Sequence, residues 1–446
     1  MKPMCAWPLR ARWAALAVAV ALGAGATLAI VPIESVFHSS DSSHYLQIAA
    51  GRTDEVMQPF ASRQLGALVA AWLARLLHGD LHAGFLVQAA VSLLFALGVT
   101  CWLALRTSAP RWLLLALVLT PCWTMFVQYL VLPDLWYAGL MAGLLLLLAR
   151  EQYLAAALMM FPLMLSREST SLTLLCFLLA AWGHLAAQQR WRVVVTAVVS
   201  AAAGSLIVGR LAAGSRPNVE HLPEAVYIFA KLPWNFLRNV VGVLPWSDAN
   251  PELCTVPVWS TPFHWGPVHA LGICGFSVLQ QLITVQVTLT HFGLLPLLLG
   301  FLWWRHRRWQ GRSVLLRFAL LYGGASLLLA PLLGAGFMHL MQYAWPLFLV
   351  ALPQLLDEFP MPPLSAGRAA ASVGFFALHL AACGVSYWPV FLPMIWVGLT
   401  LWVAGFLLLK LWFGGASNPL APTPDSPLSE GPAGTGIHSA NVVKSA

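Results

Sequence analysis

The chain has 446 residues, of which 59% are hydrophobic and 9% charged, and its mean hydropathy is +0.76. A soluble domain carries about 25% charged residues, so the composition excludes a water-soluble globular protein and points to an all-α polytopic membrane protein. The net charge of +8 then concerns membrane orientation, not nucleic-acid binding. Seven cysteines without a CxxC pair argue against a metal knuckle and against a dense disulfide framework.

Lys2, Arg10 and Arg12 precede an apolar run from Trp13 to Pro32. A transmembrane helix needs about 20 such residues, so 13–32 reads as a first span. A signal sequence cleaved near the small residues GAGA is the alternative. Further runs place spans at 82–105, 112–130, 135–149, 153–166, 170–187, 193–213, 279–304, 313–333, 338–356, 369–388 and 390–411, about 12 in all. The segments 135–149 and 153–166 are short and could form one bent hairpin. With the N-terminus inside, the inner connections hold Arg106 and Arg111, Arg150, Arg190 and Arg192, the cluster RHRRWQGR at 305–312, Arg368 and Lys410. Every inner connection carries a base, as the positive-inside rule requires.

Two outer segments are long. Within 33–81, the stretch RQLGALVAAWLARLLHG is apolar but interrupted by Arg75, which suits a helix lying at the interface. The segment 214–278 is rich in Pro, Trp and Asn and reads as a loop folded against the membrane face; loops of this length are usually functional or disordered. It contains Cys254 and Cys274, in a compartment that permits disulfides. Their separation suits a loop-closing bond, with two free thiols as the alternative. The transmembrane domain is 1–413. Residues 414–446 are rich in Pro, Gly and Ser and read as a disordered cytoplasmic tail.

The ionisable groups gather at the outer ends of the spans. Asp41, His44 and Tyr45 lie in SSDSSHYLQIA, Arg63 in QPFASRQL, Asp134 after Pro133, and Arg167 and Glu168 in LMLSREST. Lys231 and Arg238 lie in the second outer loop, and His339 opens the tenth span. Charges near lipid are costly and by default functional. Asp41 fits a helix cap, a general base toward a hydroxyl or amine, or a ligand to a divalent metal. Asp134 fits a cap or a second carboxylate facing Asp41. Arg167 and Glu168, being adjacent, point to different helix faces. Arg63, Arg167, Lys231 and Arg238 are candidates for holding a phosphate, which a guanidinium fork grips in bidentate fashion. Each also has a plain reading as an interfacial anchor, and His339 as a local hydrogen-bonding group.

One span followed by an outer loop with DSSHYLQIA and then PFASRQL resembles the glycosyltransferase C superfamily. That superfamily has an essential acid in the first outer loop, interfacial helices after it, and a long outer loop between the seventh and eighth spans. The resemblance covers the architecture of residues 1–300, without a WWDYG-type motif. It implies a membrane enzyme moving a sugar from a polyprenyl-phosphate-linked donor, with Asp41 as the acid and Asp134 as a second carboxylate. Substrate contacts would fall on His44, Tyr45, Arg63, Arg167, Glu168, Lys231, Arg238 and His339. The implied partners are that donor and membrane lipids. The implied place is a plasma membrane (in bacteria, the inner membrane), with the site on its periplasmic or extracellular side. Two rivals are a transporter or lipid flippase, which would put ionisable residues near the bilayer midplane on several spans, and a non-catalytic envelope assembly subunit.

Overall fold

The computed structural model describes residues 9–30, 40–107, 109, 111–217, 224–249, 254–265, 268–278, 291–293, 295, 296, 298–300, 313–333, 340–358, 364–385, 400, 401, 403–408 and 410. The fold is mostly helical. In chain order come α1 (Leu9–Ile30), α2 (Ser40–Ala49), α3 (Gln64–Leu76), α4 (Leu81–Leu105), α5 (Arg111–Val118), α6 (Thr124–Gln128), α7 (Pro133–Ala149), α8 (Tyr153–Leu158), α9 (Met160–Ser166), α10 (Thr170–Trp182), α11 (Ala187–Leu211) and α12 (Glu224–Phe236). After a small sheet follow α13 (Val314–Leu333), α14 (Leu352–Glu358) and α15 (Ala366–Val385). Among the described residues, α4, α11 and α13 are long and apolar enough to cross a membrane.

Several apolar runs are interrupted helices. The run 112–130 breaks after Val118, where Pro121 opens a 3-10 turn before α6; proline lacks the N–H that a continuing helix would use. The run 153–166 divides at Met159. The tenth run contains a 3-10 turn at Gln342–Ala344 and a π turn at Leu347–Ala351. Residues 279–290, 301–312, 386–399 and 414–446, which bear on the eighth and twelfth spans, the basic cluster and the tail, lie outside the described residues.

The helices run between two chemically different ends. At one end Arg106 lies over the Trp102 ring at 4.6 Å and Arg150 over the same ring at 6.0 Å. Arg190 sits over Trp182 at 5.0 Å, and Trp191 meets Trp182 edge-on. At the other end Arg63, Asp134, Arg167 and Glu168 form ion pairs. Helix α7 links the two ends directly, with Asp134 in its first turn and Arg150 as its C-cap residue, so about 24 Å of helix at 1.5 Å per residue separates them. Helix α4 contains no Asp, Glu, Lys or Arg, and in α11 and α13 these residues fall only in the first or last two turns.

Helix α3 explains how the ion-pair end is closed. Leu68, Trp72 and Leu76, four apart, form an exposed apolar stripe. The small residues Gly66, Ala67, Ala70 and Ala74 are buried on the other face, where α3 packs on α4. The approach is close at Gly84, where a Cβ would meet the Ala70 carbonyl oxygen at 2.3 Å. Gln88 Nε2 donates to the Gly66 carbonyl at 2.9 Å across the same contact.

The segments 33–81 and 214–278 touch. The Gln58 N–H donates to the Arg216 carbonyl, and the Arg216 N–H to the Val56 carbonyl, each at 2.9 Å. Gln58 Nε2 adds a bond to Ser215 Oγ at 2.8 Å. The second segment is more ordered than a loop. It holds α12, a π turn at Leu237–Val241, and strands β1 (Val243–Ser247), β2 (Trp259–Trp265) and β3 (Val268–Phe276). Strand β3 is central and antiparallel to both neighbours. Pro245 and Pro262 lie on the edge strands beside register shifts, positions that tolerate a missing donor. Cys254 and Cys274 form a disulfide that fastens the lead into β2 onto β3.

The α3–α4 contact gives a first prediction. Gly84→Ala should lower thermal stability in detergent by about 1–3 kcal/mol, as overpacking does. Gly25→Ala, where a Cβ meets nothing within 4 Å, should be neutral or gain up to about 1 kcal/mol of helix propensity. Equal melting temperatures for the two variants would contradict the close approach.

Candidate functional site

Pro133 opens α7, a position where its missing N–H costs nothing, and so places Asp134 in the first turn. Helix α9 ends at Ser166, and Arg167 leaves it in extended conformation, φ −166° and ψ 138°. Arg167 therefore reaches toward α7 while Glu168 reaches toward α3. Arg167 Nη1 donates to Asp134 Oδ1. The Tyr343 hydroxyl donates to the same oxygen and accepts from Arg167 Nη1 at 2.7 Å. The guanidinium also lies 5.0 Å from the centre of the Tyr343 ring. Asp134 is 1% exposed and Arg167 4%. Buried charges survive only when paired and hydrogen-bonded, and here each supplies the other.

The second pair lies beside the first. Arg63 is the N-cap residue of α3. Its Nε donates to Glu168 Oε2 at 2.9 Å and its Nη2 to Oε1 at 2.5 Å, a bidentate fork. Its Nη1 reaches the buried Tyr45 hydroxyl at 3.1 Å, and Phe60 lies beneath it at 5.7 Å. Burial by itself would push the Glu168 carboxyl up. The charge and hydrogen bonds of Arg63, with the charge of Arg167, outweigh that and bring it down to about 2.

Asp41 stands in the first turn of α2, half-buried. His44 follows one turn on, stacked on Phe60 at 4.5 Å. Burial lowers the His44 pKa, opposed by the charge of Asp41. The same carboxylate acts on Tyr129, which follows α6. The structure thus brings together Asp41, His44, Tyr45, Arg63, Asp134, Arg167 and Glu168 at one end of the bundle. Lys231 and Arg238 are half-buried on α12 and the π turn. Those elements are held to α13 by Asn235 Nδ2 on the Leu332 carbonyl at 3.1 Å and Asn239 Nδ2 on the Pro331 carbonyl at 2.8 Å. His339 lies outside the described residues.

Two contributors were missed from sequence: Tyr343, which completes the Asp134–Arg167 pair, and Phe60, the platform under His44 and Arg63. Tyr343 carried no signal, being 209 residues from Asp134. Phe60 had one in its place within PFASRQL. A cavity of about 30 Å³ borders Arg167, Tyr322, Ser326 and Tyr343, enough for a water molecule. Among the described residues no three His, Cys, Asp or Glu side chains converge to hold a metal ion, so a divalent ion on Asp41 has no ready-made ligand set among them. The chain matches no protein-family model, no curated protein and no solved structure.

The Glu168 pair sets a pH dependence. A carboxyl held at about 2, below its ordinary 4.5, contributes its full stabilisation above about pH 4.5 and loses it as the pH falls toward 2. Glu168→Gln should therefore melt below the wild type at pH 7, and the gap should narrow between pH 4.5 and 2. A gap independent of pH would show that the charge of Glu168 adds nothing to stability.

Proposed function

We propose that this chain is a membrane-embedded glycosyltransferase of the glycosyltransferase C type, with about 12 spans. It would transfer a sugar from a polyprenyl-phosphate-linked donor to an acceptor at the outer membrane face. The observation that carries this reading is where the ionisable groups of the site sit. Asp41 and Asp134 are in first turns, Arg63 caps α3, Arg167 ends α9 and Glu168 follows it. All lie at helix ends, where a lipid-borne donor presents its headgroup. A transporter would need such groups at mid-span.

The chemistry divides among these residues. Asp41 takes the proton of the acceptor hydroxyl or amine. The acceptor atom bonds to the anomeric carbon as the bond from that carbon to the phosphate oxygen breaks, and the phosphate leaves with the electron pair. His44, kept neutral by its burial, flanks the base. Arg63 and Arg167 are each committed to a carboxylate, so their part is to hold α3, α7 and α9 in register around Asp41. Lys231 and Arg238, half-buried on α12 and the π turn, are assigned to balance the charge of the departing phosphate.

Two experiments test the reading. Asp41→Asn keeps the size of the side chain and suits a helix start, so folding should persist while sugar transfer falls by about 10²–10⁴-fold, the range for a lost general base. Asp41→Ala should lose the same activity and about 0.3–1 kcal/mol of stability, the worth of an acid in a first helical turn. Near-normal transfer by folded Asp41→Asn protein would remove Asp41 as base. Separately, cysteines introduced in 214–278 should react with a membrane-impermeant reagent on intact cells. Labelling only after permeabilisation would put Asp41 on the wrong side of the membrane for this donor.

A further inference from the structure

The arginine–tryptophan end carries a feature that the proposed reaction does not use. Arg106 follows α4 and Arg150 follows α7, and both guanidiniums lie over the single ring of Trp102. Both are exposed. Among the described residues no carboxylate comes within ion-pair distance of either. Two cations are thus held together on one aromatic ring, on helices that α4 and α7 lock by close packing at Gly139 and Ser92.

The surface leading to this pair is equally specific. Val91, Leu94, Phe95, Gly98 and Trp102 share one face of α4, at helical spacings of three and four. Val91, Leu94 and Phe95 are 58%, 46% and 44% exposed. A Cβ on Gly98 would meet nothing within 4 Å, so the face is notched between Phe95 and Trp102. The order along the helix is hydrocarbon-like surface, notch, indole, then two cations. From Phe95 to Arg106 is about 16 Å at 1.5 Å per residue, close to the roughly 15 Å of one leaflet's hydrocarbon.

We propose that Arg106, Arg150 and Trp102 form a binding site for the phosphate of an anionic membrane phospholipid, with one acyl chain lying in the α4 notch at Gly98. The guanidinium forks match phosphate oxygens better than ammonium groups do. The indole sits at headgroup depth, where Trp is favoured. Basic pockets between helices on this side of a membrane take anionic headgroups. A carboxylate-bearing protein partner would account for the arginines but not for the apolar notch below them. The inference stands apart from the glycosyl-transfer reading, since none of these residues belongs to that site.

Native mass spectrometry of the full purified chain, titrated with phosphatidylglycerol or phosphatidylcholine, tests it. The wild type should retain phosphatidylglycerol in preference to phosphatidylcholine, and millimolar inorganic phosphate should not displace it. Arg106→Gln with Arg150→Gln should bind phosphatidylglycerol about 30-fold more weakly, from roughly a fivefold contribution of each basic residue. Gly98→Leu, which leaves the charges in place, should weaken binding by filling the notch. Arg52→Gln, at the opposite end of the bundle, should bind as the wild type does. Equal retention of the two lipids, displacement by inorganic phosphate, or a lipid-free dimer would overturn the proposal. So would unchanged binding in the double variant or in Gly98→Leu. If the double variant does not fold, the lipid comparison on the wild type and Gly98→Leu still decide the matter.

Discussion

The organisation of this protein depends on two adjacent residues facing in opposite directions. The chain leaves α9 extended at Arg167, so Arg167 meets Asp134 on α7 while Glu168 meets Arg63 at the start of α3. Arg167 or Asp134 alone, buried as both are, would cost several kcal/mol. Together they are tolerated, and only if three helix ends arrive at one point. Such pairs add little net stability compared with apolar packing, but removing one partner leaves the other stranded. Their effect is to specify arrangement.

The arrangement reaches further through tyrosines. Tyr343 brings the irregular stretch 340–358 onto Asp134, and Tyr45 brings α2 onto Arg63. Gln342 adds its own tie, since its Oε1 accepts from the Phe126 N–H at 3.2 Å. Helix α2 carries Asp41 and His44, so the position of the proposed base follows from a chain of contacts that begins at Arg167. The bridge between Met57 and Arg216 then ties the segment that carries the disulfide-fastened sheet to the residues that lead into α3.

The opposite end is built by different physics. There arginines rest on indole faces instead of pairing with acids, as Arg106 and Arg150 do on Trp102 and Arg190 does on Trp182. Cation–π contacts at exposed sites are worth about 0.5–1 kcal/mol each, too little to hold helices together. They leave the charges available to a membrane's phosphates. One end of the molecule is therefore internally neutralised and organised, and the other presents positive charge outward.

The sequence by itself determined the helical class and the two-ended charge distribution. Apolar runs must become helices where water is excluded, and basic residues mark one side. Adjacency alone required Arg167 and Glu168 to face apart, and Pro133 required a helix to start beside Asp134. Tertiary structure decided which groups meet. That Arg63 pairs with Glu168 and Arg167 with Asp134, that Tyr343 closes the pair, and that Phe60 carries both His44 and Arg63 depend on contacts across 105, 33 and 209 residues and on one local turn. It also decided that Val243–Ser247, Trp259–Trp265 and Val268–Phe276 form a sheet: Pro245 and Pro262 mask the strand pattern, and only pairing with β3 makes their edge positions acceptable. Local propensity is written in neighbouring residues, whereas the partner of a buried charge is chosen by whichever distant helix end packing brings within hydrogen-bonding reach.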